Sequence, residues 1–116
     1  MQFETDIKSG RIVPGMNFNQ KVWAMTVRIP AGQLATYGQI AKAVGSPLAA
    51  RAVGNALNKN PYAPQVPCHR VVGSTGSLTG FAGGLPKKRE LLQGEGVDCK
   101  GERVLMKQVK WVTLGE

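Results

Sequence analysis

The sequence predicts a single α/β domain in which a helix-turn-helix unit packs beside a small β element. The chain has 116 residues, which is enough for one hydrophobic core but not for two. Two short helical segments joined by Gly-Ser-Pro at residues 45–47 indicate the helix-turn-helix. Alternating side chains in residues 97–111 indicate a β-hairpin near the end of the chain.

Residues 1–16 mix polar and apolar side chains and end in Val-Pro-Gly. They predict a short N-terminal arm that is loosely attached or forms an edge strand, and the domain itself is expected at residues 17–116. The start of the chain carries acidic residues and has no apolar stretch, so it does not read as a signal peptide. No apolar run approaches the roughly 20 residues that a membrane span needs.

Residues 17–30 are predicted to form the first helix. Phe18, Val22 and Met25 lie at helical spacing and would share one face. A proline closes this segment and cannot continue a helix, so the helix is expected to stop before it. The following residues, 31–38, read as a turn.

The next two helical segments form the helix-turn-helix. Thr36 is placed to N-cap a helix over residues 37–45, which Gly45 can end. A Ser-Pro start signal follows, and the second helix is predicted over residues 48–60. This helix carries Arg51 among small side chains, which would let it lie close to a groove floor or pack tightly against protein. The small residues are Ala49, Ala50, Ala52, Gly54 and Ala56.

The second half of the domain is predicted to consist of short elements. Residues 62–72 form a proline-bounded loop that runs into a short strand, and the glycine-rich residues 73–85 form another loop. That loop lacks the G-x-x-x-x-G-K-[ST] pattern, which argues against a nucleotide-binding P-loop. Residues 86–96 predict a short helix with a proline in its first turn. The terminal hairpin is expected to turn around Lys100–Gly101.

The charge balance favours a polyanionic partner. Fifteen Lys and Arg residues against seven Asp and Glu residues give a formal charge of +8. Nucleic acid is the first candidate, and a basic protein without such a partner is the alternative. The two cysteines, Cys68 and Cys99, argue against a disulfide framework and fit a reducing cytosol. With a single histidine, a zinc site would also have to recruit carboxylates, so we expect neither a metal nor a cofactor.

Cys68 and the adjacent His69 are the candidate reactive pair. A thiolate is a nucleophile, and a histidine held by a carboxylate can take the thiol proton. Glu90, Glu95 and Asp98 are candidates for that carboxylate, and Glu95 lies between two glycines that would let it turn back towards the site. Adjacent residues of a strand face opposite ways, so the pair would need a bridging water or a turn. Taken alone, such a pair is more often structural than catalytic.

The sequence contains a series of short motifs, which are TYG, ARAVG, NP, PCHRVV, GFAGGL and KRELLQGEG. Together they resemble the DNA-binding catalytic domain of the O6-alkylguanine-DNA alkyltransferases. The resemblance covers residues 18–111 in the family's order and spacing. The resemblance implies a winged-helix-like helix-turn-helix fold that binds duplex DNA containing O6-alkylguanine. It also implies that the damaged base is flipped out and that its alkyl group moves from O6 to the cysteine sulfur, once per molecule.

The resemblance assigns roles to four residues around the thiol. Cys68 would accept the alkyl group, and His69 would deprotonate it through a water molecule. Glu95 would hold the imidazole, and Asn60 would hold the turn that shapes the active site. The protein would act as a monomer in the cytoplasm, at the nucleoid or in a eukaryotic nucleus, without a membrane.

The resemblance also assigns residues to the DNA and the base. Tyr37 would crowd the target's 3′ phosphate, which drives rotation of the nucleotide, and would approach the flipped base. Arg51 would enter the base stack as a finger, while Ala50 and Gly54 would keep the second helix shallow enough for the groove. Carbonyl groups near the cysteine, including that of Val71, would read the guanine amino group.

Three departures from the family pattern affect what is expected. Residues 1–16 are too short for the usual N-terminal domain, and this short form is similar to alkyltransferase-like proteins, which sense alkylated DNA and whose motif lacks the cysteine. The presence of Cys68 favours transfer over sensing, with a helix-turn-helix regulator as a further alternative. Phe81 stands where a tyrosine is common, and Ala82 stands where some members carry a hydroxyl that can donate to O6. Transfer is therefore expected to be slower or differently selective, and Cys99 is expected to be structural or incidental.

Overall fold

The computed structural model describes residues 2–78 and 84–114. The helices in these ranges are α1 (Glu4–Lys8), α2 (Phe18–Val27), α3 (Tyr37–Ala43), α4 (Ala50–Asn58) and α5 (Leu85–Gly94). The strands are β1 (Gln33–Thr36), β2 (Val71–Val72), β3 (Cys99–Lys100), β4 (Arg103–Val104) and β5 (Lys110–Trp111). Two single 3₁₀ turns, Cys68–Arg70 and Met106–Gln108, complete the secondary structure of these ranges.

Helix α2 confirms the first predicted helix and begins with a reciprocal cap. The Asn17 side chain accepts from the backbone N–H of Gln20, and the Gln20 side chain accepts from that of Asn17, each at 2.9 Å. Two of the donors that every helix start leaves unpaired are satisfied in this way. The helix buries Val22 completely, and Trp23 donates its indole N–H to the carbonyl of Ala56 in α4 at 2.7 Å.

The turn predicted at residues 31–38 is wrong, because Gln33–Thr36 form strand β1. This strand lies between β2 and β5 in a three-stranded parallel sheet. Its partners come from residues about 35 and 77 positions further along the chain, as the pairings Ala35–Val71 and Leu34–Trp111 show. A four-residue strand carries too little alternation to be recognised locally, so only these distant partners define it.

The helix-turn-helix is confirmed as α3 and α4, both of which pack against α2. Thr36 caps α3 as predicted, since its hydroxyl accepts from the N–H of Gln39 at 3.0 Å. Gly45 has φ of +85°, a left-handed conformation that glycine adopts without strain, and it lies just beyond the end of α3. Ile40 and Val53 are fully buried where the two helices meet the core.

The N-terminal segment contains a helix, not the predicted loose arm or edge strand. Helix α1 packs on α2, and Ile7 has no exposed surface. Arg28 donates from Nε to the carbonyl of Gly10 at 2.8 Å, which fixes the chain after the helix. Five residues with one buried side chain give no helical period, so packing on α2 decides the structure here.

The alternation of side chains along the sheet divides the interior into two cores. Ala35 and Val71 point into the large helical core. Leu34 and Val72, their neighbours in the chain, point into a smaller core beneath α5 and the terminal hairpin. The hairpin pairs β3 with β4 around Gly101, as predicted. The hairpin, α5 and β2 therefore contribute side chains to the same smaller core, among them Val104, Leu92 and Val72.

Candidate active site

Cys68 lies in the 3₁₀ turn Cys68–Arg70, directly before β2. The turn answers the geometric problem of an adjacent Cys-His pair, because successive residues of a 3₁₀ turn are about 120° apart around its axis and not on opposite faces. The turn is held by a hydrogen bond from the N–H of Arg70 to the carbonyl of Pro67 at 2.9 Å. Cys68 is half-buried and its neighbour His69 is buried.

Asn60 ties the proline-rich loop into the shape that presents Cys68. Its side-chain amide donates to the carbonyl of Val66 at 2.9 Å and its oxygen accepts from the N–H of Tyr62 at 2.8 Å. The same side chain also forms a hydrogen bond with Cys68. The residue predicted to shape the turn therefore has contacts with both the loop and the thiol.

The thiol of Cys68 is protonated at rest. Burial raises the pKa of Cys68, and this outweighs the hydrogen bonds from Asn60 and from the backbone and the positive charge of Lys88, which lower it. Because only the thiolate attacks efficiently, a base is needed next to the sulfur.

His69 and Glu95, the residues predicted to act as base and carboxylate, contact each other directly. The Nε2 of His69 lies 3.0 Å from Oε2 of Glu95. When Nε2 carries the proton that Glu95 accepts, Nδ1 is the basic nitrogen. Burial lowers the pKa of His69, although Glu95 opposes this. Glu95 reaches the histidine because it caps the C-terminal end of α5 and is followed by Gly96 with φ of +85°.

Sequence reasoning missed the role of Arg70, which also binds Glu95. Its Nε lies 2.9 Å from Oε1 and its Nη2 lies 2.6 Å from Oε2. Burial raises the pKa of Glu95, but the hydrogen bonds from Arg70 and His69 outweigh it and keep this pKa below its ordinary value. The position of Arg70, two residues after the cysteine, was the available signal.

Lys88 is the second residue that sequence reasoning missed. It has no exposed surface, and its Nζ donates to the carbonyl of Val71 at 2.6 Å and lies 3.4 Å from the hydroxyl of Tyr37. Burial lowers the pKa of Lys88 to about 8, against the opposing effect of Cys68. Lys88 stands in a run of charged residues that looks like a surface, but it is one helical turn before the buried Leu92.

Tyr37 connects the helix-turn-helix to the thiol. It is the first residue of α3, half-buried, and its ring centroid is 5.7 Å from the Nζ of Lys88. Burial, and the thiolate that Cys68 becomes at high pH, raise the pKa of Tyr37 to about 12, so the hydroxyl is protonated at neutral pH. A Cβ at Gly54 in α4 would lie 3.9 Å from this ring, so the small residue at position 54 faces Tyr37.

The remaining predicted residues lie in different parts of the fold. Arg51 is exposed in the first turn of α4, and Ala50 precedes it, half-buried. Val71 is buried, with its carbonyl turned to Lys88. Phe81 and Ala82 fall outside the described residues.

Within the described ranges, no group of three or more His, Cys, Asp and Glu side chains is arranged to hold a metal ion. No helix in the same ranges is long and apolar enough to cross a bilayer.

The helix-turn-helix domain thus carries a half-buried cysteine followed by a buried histidine, which is paired with a partly exposed carboxylate. The chain belongs to the family described as 6-O-methylguanine DNA methyltransferase, DNA binding domain, whose model matches residues 17–97. The match contains every site residue discussed above.

Relatives with this architecture occur in bacteria and archaea. The methylated-DNA–protein-cysteine methyltransferase of Mycobacterium tuberculosis H37Rv is 52% identical over 81 residues, which cover 70% of this chain and 49% of the relative. The protein of the same name from Methanosarcina acetivorans is 54% identical over 82 residues, covering 71% of this chain and 53% of the relative. This chain therefore spans about half the length of these relatives.

Two solved structures extend the comparison to complexes with DNA. The M. tuberculosis OGT in complex with DNA aligns with a TM-score of 0.67 and 43% identity, over 78% of this chain and 62% of that one. S. pombe Atl1 in complex with damaged DNA containing O6-carboxymethylguanine aligns with a TM-score of 0.73 and 32% identity, over 83% of this chain and 95% of that one.

Proposed function

We propose that this protein repairs DNA by direct reversal, moving the alkyl group of O6-alkylguanine in duplex DNA to the sulfur of Cys68. The observation that carries the proposal is the buried His69, paired with Glu95 and adjacent to a half-buried thiol, on a helix-turn-helix domain. The names of the Mycobacterium tuberculosis and Methanosarcina acetivorans relatives, and the DNA in two similar structures, support it. Residues 17–116 would form the catalytic domain, and residues 1–16 a short N-terminal segment.

The transfer is a displacement at the alkyl carbon. His69 takes the proton of Cys68 through a water molecule, and Glu95 stabilises the resulting imidazolium. The thiolate then forms a C–S bond as the C–O6 bond breaks, and the electron pair remains on the guanine, which takes up a proton and becomes normal guanine. The product on Cys68 is a thioether, which is a poor leaving group, so each molecule acts once.

Tyr37 and the backbone carbonyl of Val71 would act on the flipped base. Tyr37 stays protonated because its pKa is raised to about 12, so it can donate a hydrogen bond to the base. The carbonyl of Val71 accepts from Lys88 at 2.6 Å, and its second lone pair can accept from the guanine amino group. Lys88 therefore fixes the direction of the carbonyl that reads guanine.

Binding to duplex DNA would use the exposed face of α4. Arg51 is exposed in its first turn, where helix-turn-helix proteins place residues that enter the groove. Ala50 and Gly54 keep this surface shallow, and Arg51 would fill the gap left by the flipped base, which costs a few kcal/mol to open. The formal charge of +8 supplies attraction to phosphate.

Phe81 and Ala82 are proposed to line the base pocket without a hydroxyl group of their own. Both would then leave the O6 atom with fewer donors than a pocket with tyrosine or serine at these positions. The cellular site of action would be the cytoplasm, at the nucleoid or in a eukaryotic nucleus, with the protein acting as a monomer.

The test is transfer of a labelled methyl group from an O6-methylguanine duplex to the protein. The wild type and Cys99→Ala should both take up the label in a one-to-one ratio, and Cys68→Ala should take up none while still binding the lesion duplex. Uptake by Cys68→Ala would contradict the proposal.

The second candidate function is a lesion sensor that binds alkylated DNA without transfer. The alignment with Atl1 over 95% of that chain favours it. Lesion-selective binding by wild-type protein with no uptake of label would support the sensor, and lack of preference for the lesion would exclude both functions.

A further inference from the structure

Arg70 takes no part in the transfer described above, although its guanidinium lies inside the site. Nε donates to Oε1 of Glu95 at 2.9 Å and Nη2 to Oε2 at 2.6 Å, so the fork grips both carboxylate oxygens. The third nitrogen, Nη1, donates to the carbonyl of Ile29 at 2.8 Å. The side chains of Arg70 and Glu95 are only 18% and 17% exposed, so water screens this pair weakly.

These contacts join three parts of the fold at one point. Arg70 belongs to the 3₁₀ turn that carries Cys68, Glu95 caps the C-terminal end of α5, and Ile29 follows the end of α2. The backbone N–H groups of Glu95 and Val97 donate to the carbonyl of Leu92, each at 3.0 Å, which holds the backbone at the end of α5. Beyond that backbone, the guanidinium fixes where the carboxylate of the Glu95 side chain stands relative to His69.

The same contacts decide how much negative charge His69 experiences. Oε2 of Glu95 accepts from both His69 and Arg70. A carboxylate alone beside a buried histidine favours the imidazolium, which could not take a proton from the thiol. The guanidinium offsets that charge at the same oxygen.

Two cations and one carboxylate act on the pKa of His69 in opposite directions. Besides burial, which is the largest cause, Arg70 and Lys88 lower the pKa of His69, and Glu95 is the group that raises it. Cys68, the remaining titratable neighbour, is protonated at rest because its own pKa is raised. Arg70 is the cation that touches the carboxylate directly.

We propose that Arg70 is a positioning residue of the transfer site, which holds Glu95 on His69 and balances its charge so that His69 stays unprotonated and able to accept the thiol proton. The proposal rests on the proposed function, since it needs His69 to be the base. If Arg70 served only to hold the fold together, its replacement would lower stability without moving the acid limb of the transfer rate.

The histidine itself supplies the readout, because His69 is the only histidine in the sequence. Its ring proton signals in an NMR titration therefore need no further assignment. In Arg70→Met the pKa of His69 should rise by about one unit or more, because the carboxylate is left unbalanced. The acid limb of the single-turnover methyl-transfer rate should move to higher pH by the same amount.

Three further variants separate charge from geometry. Arg70→Lys keeps the charge but cannot grip both oxygens, so His69 should titrate close to wild type while transfer slows at every pH. Adding Glu95→Gln to Arg70→Met removes the unbalanced carboxylate and should bring the pKa of His69 down again. Arg11→Met is the matched control. It breaks an exposed arginine–carboxylate pair, in which Nε of Arg11 lies 2.9 Å from Oδ1 of Asp6, and it should leave the titration of His69 unchanged.

An unchanged His69 titration in folded Arg70→Met, or an equal change in Arg11→Met, overturns the proposal. If Arg70→Met does not fold, Arg70→Lys decides: wild-type transfer at every pH overturns the proposal, and uniformly slower transfer with a wild-type titration supports it. Failure of the proposed function would appear separately, as absence of methyl transfer by the wild type. The NMR titration reports the effect of Arg70 on His69 whether or not the wild type transfers a methyl group.

Discussion

Replacing Lys88 with methionine should make the protein more stable and less active. Lys88 has no exposed surface, and burial lowers its pKa from 10.5 to about 8. Since one pKa unit corresponds to about 1.4 kcal/mol, the protonated ammonium costs the folded state about 3 kcal/mol at neutral pH. Methionine fills similar space without that cost but loses the hydrogen bond to Val71, which is worth about 1.5–3 kcal/mol because the donor is charged. The free energy of unfolding at pH 7 should therefore rise by up to about 1.5 kcal/mol.

The stability that Lys88→Met gains over the wild type should depend on pH. Below pH 8 Lys88 is protonated in both the folded and the unfolded chain, so the wild type bears the full cost. Between pH 8 and 10.5 the folded chain binds fewer protons than the unfolded chain, so wild-type stability gains from Lys88 as pH rises. The advantage of Lys88→Met should shrink over this window.

Urea unfolding at pH 7 and pH 10 measures the free energy of unfolding of both proteins and its change with pH. Single-turnover transfer measures their activity. Transfer should fall about tenfold or more, because the cation that lowers the pKa of Cys68 is gone. Lys87→Met is the matched control, since Lys87 is the exposed neighbour of Lys88 in α5. It should change neither the free energy of unfolding nor the transfer rate. A loss of more than about 1 kcal/mol in Lys88→Met at pH 7 would refute the reasoning that burial of this ammonium is costly.

Two further variants test the base and the DNA contact. Glu95→Gln should slow transfer by about 10²–10⁴-fold while lesion binding stays near wild type, because His69 loses its charged partner; an unchanged single-turnover rate would remove Glu95 from the mechanism. Arg51→Ala should strongly weaken repair of duplex DNA and barely change reaction with free O6-methylguanine base, which needs no flipping. Equal losses on both substrates would mean that Arg51 supports the pocket or the fold, and a duplex defect that fades as salt rises would mean a simple phosphate contact.

Local signals were sufficient for helices α2 to α5. The cap at Thr36, the left-handed Gly45 and the proline at the start of α5 each act within a few residues, so the sequence displays them directly. The helix-turn-helix follows from these signals, and so does the proximity of Cys68 to His69. Glu95 could be chosen from three carboxylates because its flanking glycines allow the chain to reverse there.

Features set by distant packing could not be predicted in the same way. Strand β1 exists because β2 and β5 pair with it, and α1 exists because Ile7 finds a place on α2. Lys88 looks like a surface lysine until α5 is seen to turn it towards the carbonyl of Val71. Arg70 stands in a recognisable motif, but its grip on Glu95 depends on the end of α5 being brought against the 3₁₀ turn.

The most direct test of the central claim is the mass of the intact protein after incubation with an O6-methylguanine duplex. The protein should gain one methyl group per molecule, peptide mapping should locate it on Cys68, and a second dose of duplex should add nothing. Methylation at Cys99, or an unchanged mass with protein that is folded and bound to the lesion, would contradict the assignment of Cys68 as the alkyl acceptor.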